Sequence, residues 1–390
     1  MPDWLDEIKG LYIRFKDLTA IGVAQIIGNA IIGIFWIILA TIIDTNEFGE
    51  INYFIAIATI AATVSFLGAG PTMLVYTAKQ VKIQSTLYFI TLVSGAITSL
   101  VLFFMFYNLG VSVYVLGFVV FMSLTNELLG RKLYKKYAKF LITQRIFLII
   151  ISLSLFYLIG IDGVILGFAL SYLPFSFWIL RGFRKTKIDF SILRPRLGFM
   201  ANNYLADLAR VLSFSLDKLI VGPLFGFALL GNYSLGIHVL TLLTLVPNIV
   251  FLYVLPHDAT GKQHKRLKKF TIFVSIILAI LTVLLTPTIL PIFFPKFIES
   301  IEIVQIMSLA IIPRTISMMF TSKFLGQEKS KIVIFGSGIY LIVQIPSMIL
   351  LGELYAINGV ALALLLAVTC EAIFLTSFSR WSERKSTEGS

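Results

Sequence analysis

A handful of polar side chains interrupt otherwise apolar runs of this sequence, and they are where chemistry is possible. In the run 197 to 221, Asn203, Asp207, Arg210 and Asp217 stand at offsets of 0, 4, 7 and 14 residues, which confines them to about 80° of arc on a helix. Such a stripe must face a partner or water, because a lone Arg at mid-span costs about 2.5 to 3.5 kcal/mol even on the mildest insertion scale. Two kinds of chemistry follow. A carboxylate inside a span is the usual proton carrier, which makes Asp207, Asp217 and Glu371 coupling candidates. A guanidinium binds phosphate through paired, charge-assisted hydrogen bonds, which singles out Arg314 and Arg210. A self-neutralising structural pair of Asp207 with Arg210 is the competing reading. Gln25 and Asn29, one turn apart on one face with Trp36, join amides to an aromatic ring and suit sugar hydroxyls and ring faces. With Asn203 they complete the expected substrate-binding set.

Other chemistries find no support. There is no G-x-x-x-x-G-K-[ST] loop for ATP hydrolysis. His238, His257, His264 and the single Cys370 are scattered, so no zinc site, disulfide or cofactor is expected. His238 reads as a packing residue. Arg145, Glu127 and Lys218 lie nearer helix ends, where snorkelling to the interface accounts for them. The "GAG" at 68 to 70 sits in an apolar run, and with Pro71 after it the expectation is a break or kink. Pro247 is expected to bend the equivalent helix of the second half.

The elements that position these residues are set by composition. Apolar residues make up 58% of the 390, 34 of them Phe, and the mean hydropathy is +0.94, well beyond a soluble chain of this length. About twenty apolar residues cross a bilayer as a helix. Twelve such segments run at 18 to 43, 50 to 78, 84 to 107, 110 to 130, 140 to 160, 162 to 180, 197 to 221, 229 to 255, 270 to 294, 300 to 322, 332 to 351 and 357 to 378. They do not alternate every second residue, so the expectation is an all-α polytopic membrane protein and not a barrel. Lys and Arg mark the cytoplasmic side. Of the 32, 27 fall before residue 17, in alternate junctions (79–82, 131–139, 181–196, 257–269, 322–331) or in the tail; four lie inside spans, and only Lys296 lies in the opposite junctions. Both termini are therefore expected in the cytoplasm, with the chain in the plasma membrane. The net charge of +12 reads as topogenic signal and attraction to membrane lipids. No basic stretch outside the spans is interleaved with stacking aromatics, so nucleic acid is not an expected partner. The first residues, 1 to 17, read as a cytoplasmic amphipathic segment lying in the interface.

The stretch "IDGVILGFAL" at 161 to 170 returns as "INGVALALLL" at 357 to 366, with five of ten positions identical. Its place at the sixth and twelfth spans divides the chain into two parallel repeats of six. The lobes are expected at 18 to 181 and 197 to 378, with a basic linker at 182 to 196 and a tail at 379 to 390. Parallel repeats are a transporter design. Gly163 and Gly167, echoed by Gly359 and Ala363, form small-xxx-small faces for close helix approach. The repeat is expected to supply hinge-side packing between two rocking halves.

The order "LDKLIVGPLFGFALLGNYSLGIHVLTLLTLVPNIVFLYVLP" at 216 to 256, "IIDTNEFGEINYFIAIATIAATVSFLGAGP" at 42 to 71 and "GRKLYKKYAKF" after the fourth span resemble the polysaccharide transporter family. These are the O-antigen-type flippases of lipid-linked oligosaccharides, within the superfamily that holds the MATE exporters and peptidoglycan lipid flippases. The resemblance covers nearly the whole chain. It implies a MATE-like fold and a flippase that moves a polyprenyl phosphate or diphosphate glycan outward by alternating access. It further implies glycan polymerases or glycosyltransferases of the same pathway as partners. A MATE-like exporter of small cations is the alternative. A membrane glycosyltransferase or polymerase fits less well, because the outer junctions are only a few residues long and leave no room for its site.

Overall fold

The computed structural model describes residues 3–183, 186–259, 264–327 and 329–388, with side chains placed throughout except in 3–20, 256, 259 and 383–388. The basic residues Arg184, Lys185 and Lys262 of the expected cytoplasmic junctions lie outside the described residues. In chain order the helices are α1 (Asp3–Ile42), α2 (Thr45–Phe66), α3 (Ala69–Ala78), α4 (Gln84–Phe106), α5 (Leu109–Gly130), α6 (Tyr134–Ile159), α7 (Ile161–Leu170) and α8 (Ser176–Phe183). They continue with α9 (Phe190–Leu193), α10 (Leu197–Phe225), α11 (Phe227–Leu243), α12 (Leu245–Ala259), α13 (Lys265–Phe293), α14 (Ser300–Leu309), α15 (Ile311–Gly326) and α16 (Ser330–Glu388).

Nine of the described segments are long and apolar enough to cross a membrane, and α11 with α12, bent by 45° at Thr244, makes a tenth. An eleventh appears where α16 breaks at Tyr355 and Ala356, which leave helical geometry. The twelfth is α10, whose length is ample but whose stripe of charges lowers its hydropathy. The protein is thus an all-helical membrane protein.

Two expectations are revised. The amino-terminal segment is no separate helix; its backbone runs unbroken into the first span. The second span starts at Thr45 and is interrupted at Leu67 and Gly68, both at positive φ. Pro71 is not the breaker, because it sits in the first turn of α3, where a missing N–H costs nothing. Gly68 also packs directly on α10: a β-carbon there would lie 2.3 Å from the Met200 carbonyl oxygen. The bend between α11 and α12 does follow a proline. Pro247 removes the donor that would bond the Leu243 carbonyl, and the helix turns at the next residue, Thr244.

The chain forms two compact units. Unit 1 comprises 1–32 and 53–219; unit 2 comprises 33–52 and 220–390. Unit 1 is organised around α5, with 61% of its apolar window buried against α3, α4 and α7, while α4 and α6 stay peripheral at 17%. Unit 2 repeats the pattern: α14 and α15 are 50% buried and α13 is peripheral at 17%.

The repeat is more than a likeness of letters. Gly160 (φ 71, ψ −146) and Ala356 (φ 48, ψ −128), 196 residues apart, share an unusual backbone conformation. Just beyond each, the chain folds back on the preceding helix so closely that a β-carbon on Gly163 would fall 2.2 Å from the Leu155 carbonyl oxygen, and one on Gly359 1.7 Å from that of Leu351. Asn108 donates to Asp162 at 2.8 Å in unit 1, and in unit 2 Asn358 donates to Glu302, the same bridge with acid and amide exchanged. These contacts lie inside each unit, so what the repeated stretch packs against is its own preceding helix and not a hinge between halves.

Candidate functional site

Unit 1 holds a cavity of about 330 Å³ lined by α1, α5 and α6 together with Tyr172. The lining includes Gln25 and Asn29 from α1, Asn126 from α5, and Tyr137 and Arg145 from α6. Thr125, Phe118, Phe121, Met122, Leu129 and Leu141 complete most of the wall. Among the described residues Arg145 is its one charged residue, and no Asp or Glu contributes. Arg145 stands eleven residues into α6, about 16 Å along the axis at the helical rise. Its Nε is buried and has no hydrogen-bond partner in the protein.

Local sequence explains the cavity. Gln25 and Asn29 are one turn apart and flank Gly28, which packs on the Arg145 stem; a β-carbon at 28 would make an ordinary 3.6 Å contact with Arg145 Cγ. Tyr137 and Leu141 precede Arg145 at helical spacing and line the same wall. Gln25 Nε2 donates to the Tyr137 hydroxyl at 3.4 Å, and Asn126 Nδ2 donates back to the Met122 carbonyl at 2.8 Å. Amide and phenol oxygens and an arginine thus converge in a wall otherwise aromatic and aliphatic, which suits an anionic, hydroxyl-bearing ligand.

The other expected site residues are dispersed. On α10, Arg210 donates to Asp207 at 2.6 Å, with Arg210 67% and Asp207 19% exposed. Asn203 donates back to the Phe199 carbonyl of the same helix at 2.7 Å. Asp217 is buried and engages Lys218 at 3.2 Å. In unit 2, Arg314 on α15 and Glu371 on α16 are partly exposed, and the guanidinium bears electrostatically on the carboxylate. Trp36 does not join Gln25 and Asn29. It is 6% exposed in unit 2, stacked on the His238 imidazole with centroids 4.4 Å apart and edge-to-face with Phe35 and Phe48.

Three residues set aside as interfacial prove to be engaged. Besides Arg145, buried Glu127 accepts from the Tyr88 hydroxyl and from Arg131 Nε at 2.6 Å, and Lys218 holds Asp217. Part of the signal for Arg145 was available, since by spacing it shares one helical face with Tyr137 and Leu141, but its depth shows only once α6 is seen to start at Tyr134. In the linker ahead of α10, Asp189 caps α9, and hydrogen bonds from the Ser191 hydroxyl and N–H hold its carboxyl below the usual carboxylate range.

No family model matches this sequence, and no curated protein matches it. Solved structures do. A multidrug resistance MATE family transporter of the MOP superfamily, in an inward-facing conformation, aligns at TM-score 0.72 and 14% identity over 95% of this chain and 99% of that one. The lipid II flippase MurJ, in an inward closed conformation, aligns at TM-score 0.77 and 15% identity over 92% of this chain and 87% of that one. The chain has a MATE/MOP-like fold. A third MOP superfamily protein, from Pyrococcus furiosus, aligns at TM-score 0.57 and 16% identity over 94% of this chain and 95% of that one; it is described as having a binding pocket of reversed polarity that suggests a different function. In this chain the described lining of the unit 1 cavity carries one cation, Arg145.

Proposed function

We propose that this protein is a flippase that carries a lipid-linked oligosaccharide, a polyprenyl phosphate or diphosphate glycan, from the cytoplasmic to the outer leaflet of the plasma membrane. The observation that carries the reading is Arg145: a guanidinium with a buried, unpartnered Nε in a cavity whose lining has no acid. An exporter of cations needs the opposite sign there, because a buried like charge repels its substrate. A phosphate supplies what Arg145 lacks, while Gln25, Asn29, Asn126 and Tyr137 offer donors and acceptors to sugar hydroxyls.

The physical problem fits such a carrier. A phosphorylated glycan does not cross hydrocarbon unaided, since each unsatisfied polar group costs several kcal/mol there. Nor does its tail leave the bilayer, because moving twenty methylenes into water costs about 16 kcal/mol at about 0.8 kcal/mol each. Only the head group needs a polar path, supplied by alternating access. Arg314 and Arg210 are assigned to later phosphate contacts, and Asp207, Asp217 and Glu371 to charge balance, with both termini cytoplasmic. Enzymes that build or polymerise the glycan are the expected partners.

The test is transport in reconstituted vesicles of a fluorescent polyprenyl diphosphate disaccharide against a lipophilic dye cation. The flippase reading expects movement of the first, with Arg145→Ala lowering its rate at least about tenfold, a loss of about 1.4 kcal/mol. Efflux of the dye alone, unaffected by Arg145→Ala, would establish the cation exporter instead.

A further inference from the structure

A second titratable group lies deep in unit 2. His238 stands eleven residues into α11, about 16 Å from its first turn by the helical rise. Its imidazole is partly exposed, stacks face-on against Trp36 at 4.4 Å and 15°, and meets Phe48 edge-on at 5.7 Å. Its Nε2 is 3.1 Å from Asn52 Oδ1. The Asn52 amide nitrogen donates to the Phe48 carbonyl at 2.9 Å, which turns the amide oxygen towards the histidine. With Asn52 Oδ1 as the acceptor, Nε2 is the ring nitrogen that carries the hydrogen.

These partners come from two segments that return to α11 from the start of the chain, the end of α1 and the first turns of α2. They are fastened there by an unusual crossing. A β-carbon on Gly49 would lie 1.9 Å from the Phe227 carbonyl oxygen, and one on Gly231 1.8 Å from that of Thr45. Each glycine abuts the carbonyl four residues ahead of the other, a reciprocal contact of the kind a two-fold relation between repeats produces. The imidazole lies two turns beyond this crossing, where a change in its charge acts on both helices.

Several charged groups of the packed elements stand at helix ends near the Gly49–Gly231 crossing; farther along, α16 also carries Glu371, on which Arg314 bears, and α12 carries buried Asp258, paired with Lys268. α11 carries no other ionisable side chain except Tyr233. From α1 and α2 come Asp44, Glu47 and Glu50; from the start of α14 and the turn before it, Lys296, Glu299 and Glu302; from α16, Glu353. Glu47 is tied to the Asp44 backbone, Lys296 to the Ile42 carbonyl, Glu299 to Asn232 and Glu302 to Asn358.

We propose that His238 is a proton-binding site of this transporter, whose protonated form holds Trp36 and Asn52 against α11. Imidazole changes charge in the physiological range, and an imidazolium gains from the face of an indole and from an amide acceptor. Protonation therefore tightens the clasp and deprotonation loosens it, so a proton taken up by an opened clasp closes it. This gives the coupling ion of the transport reading, on which it rests, as a proton.

The binding step is tested without substrate. In a variant that keeps Trp36 and replaces Trp4, Trp178 and Trp381 by Phe, an imidazolium stacked on the ring quenches its emission. Emission should fall about twofold from about pH 8 to about pH 5, the window in which an imidazole gains its charge. His238→Phe and His238→Gln should both remove the transition; Gln keeps an N–H for Asn52 and so controls for structure. A flat titration in the parent, or the same transition in both variants, overturns the proposal. In vesicles, His238→Gln should abolish the stimulation of polyprenyl diphosphate disaccharide movement by an imposed proton gradient while gradient-free movement stays within about twofold. Stimulation equal to the parent's overturns the coupling. If the parent moves no such lipid, the substrate reading fails and the fluorescence titration still decides the site.

Discussion

Arg145 illustrates how stability and function oppose each other at a single residue. Its buried, unpartnered Nε is a desolvated donor, and such a group costs about 1 to 3 kcal/mol. Arg145→Leu should therefore raise the resistance of the detergent-solubilised protein to unfolding by an amount of that order while abolishing transport. Lower stability together with retained transport would make Arg145 a structural strut. The Asp207–Arg210 pair calls for the opposite comparison. Arg210→Ala strands the Asp207 carboxylate, so if the pair is structural, adding Asp207→Asn should restore transport; if Arg210 contacts phosphate, the double variant stays impaired. At Arg314 the discriminating change is Arg314→Lys, which keeps the charge but not the paired hydrogen bonds and should impair transport almost as much as Arg314→Ala.

At the scale of elements, the helices are joined by backbone contact where glycine permits it and by side chains that replace lost backbone bonds. Pro287 in α13 leaves the Val283 carbonyl without its helical donor, and Gln305 from α14 supplies one at 2.9 Å. Lys296, the lone basic residue of the junctions expected on the outer side, donates to the Ile42 carbonyl at the end of α1 at 3.1 Å, where a cation complements the helix dipole. At the Gly49–Gly231 crossing, either change to Ala forces the helices apart and should cost about 1 to 3 kcal/mol. The double change should cost clearly less than the sum, since helices already separated accommodate the second methyl; additive losses in thermal unfolding would show two independent sites. The turn of the repeat gives a cleaner case. Ala356 occupies with a methyl the positive-φ conformation that Gly160 adopts in the first copy, so Ala356→Gly should stabilise by about 1 kcal/mol and Gly160→Ala destabilise by a similar amount.

For the whole molecule, topology is the first matter to settle by experiment. With Cys370 replaced, single cysteines at exposed Glu353 and Lys187 report opposite sides. An impermeant thiol reagent applied to intact cells should label position 353 and spare 187; the reverse would invert the orientation deduced from 27 basic residues against one. The fold is shared with proteins described as a multidrug resistance transporter and as a lipid II flippase, so architecture alone does not fix the substrate.

The sequence by itself determined the class, the helix positions, the alternating charge and the internal repeat, because each depends on hydrophobicity and spacing along one chain. The break at Gly68 and the bend before Pro247 were legible for the same reason: glycine and proline act on their own backbone. What only the tertiary structure decided is which polar groups meet. Trp36 shares a helix with Gln25 and Asn29 and a helical face by spacing, yet stacks on His238, 202 positions further along the chain. Arg145 looked interfacial because distance from a helix end is a one-dimensional quantity; its burial depends on α1 and α5 closing around it. Periodicity fixes the face of a helix, but the neighbour that covers that face is set by packing among helices distant in sequence.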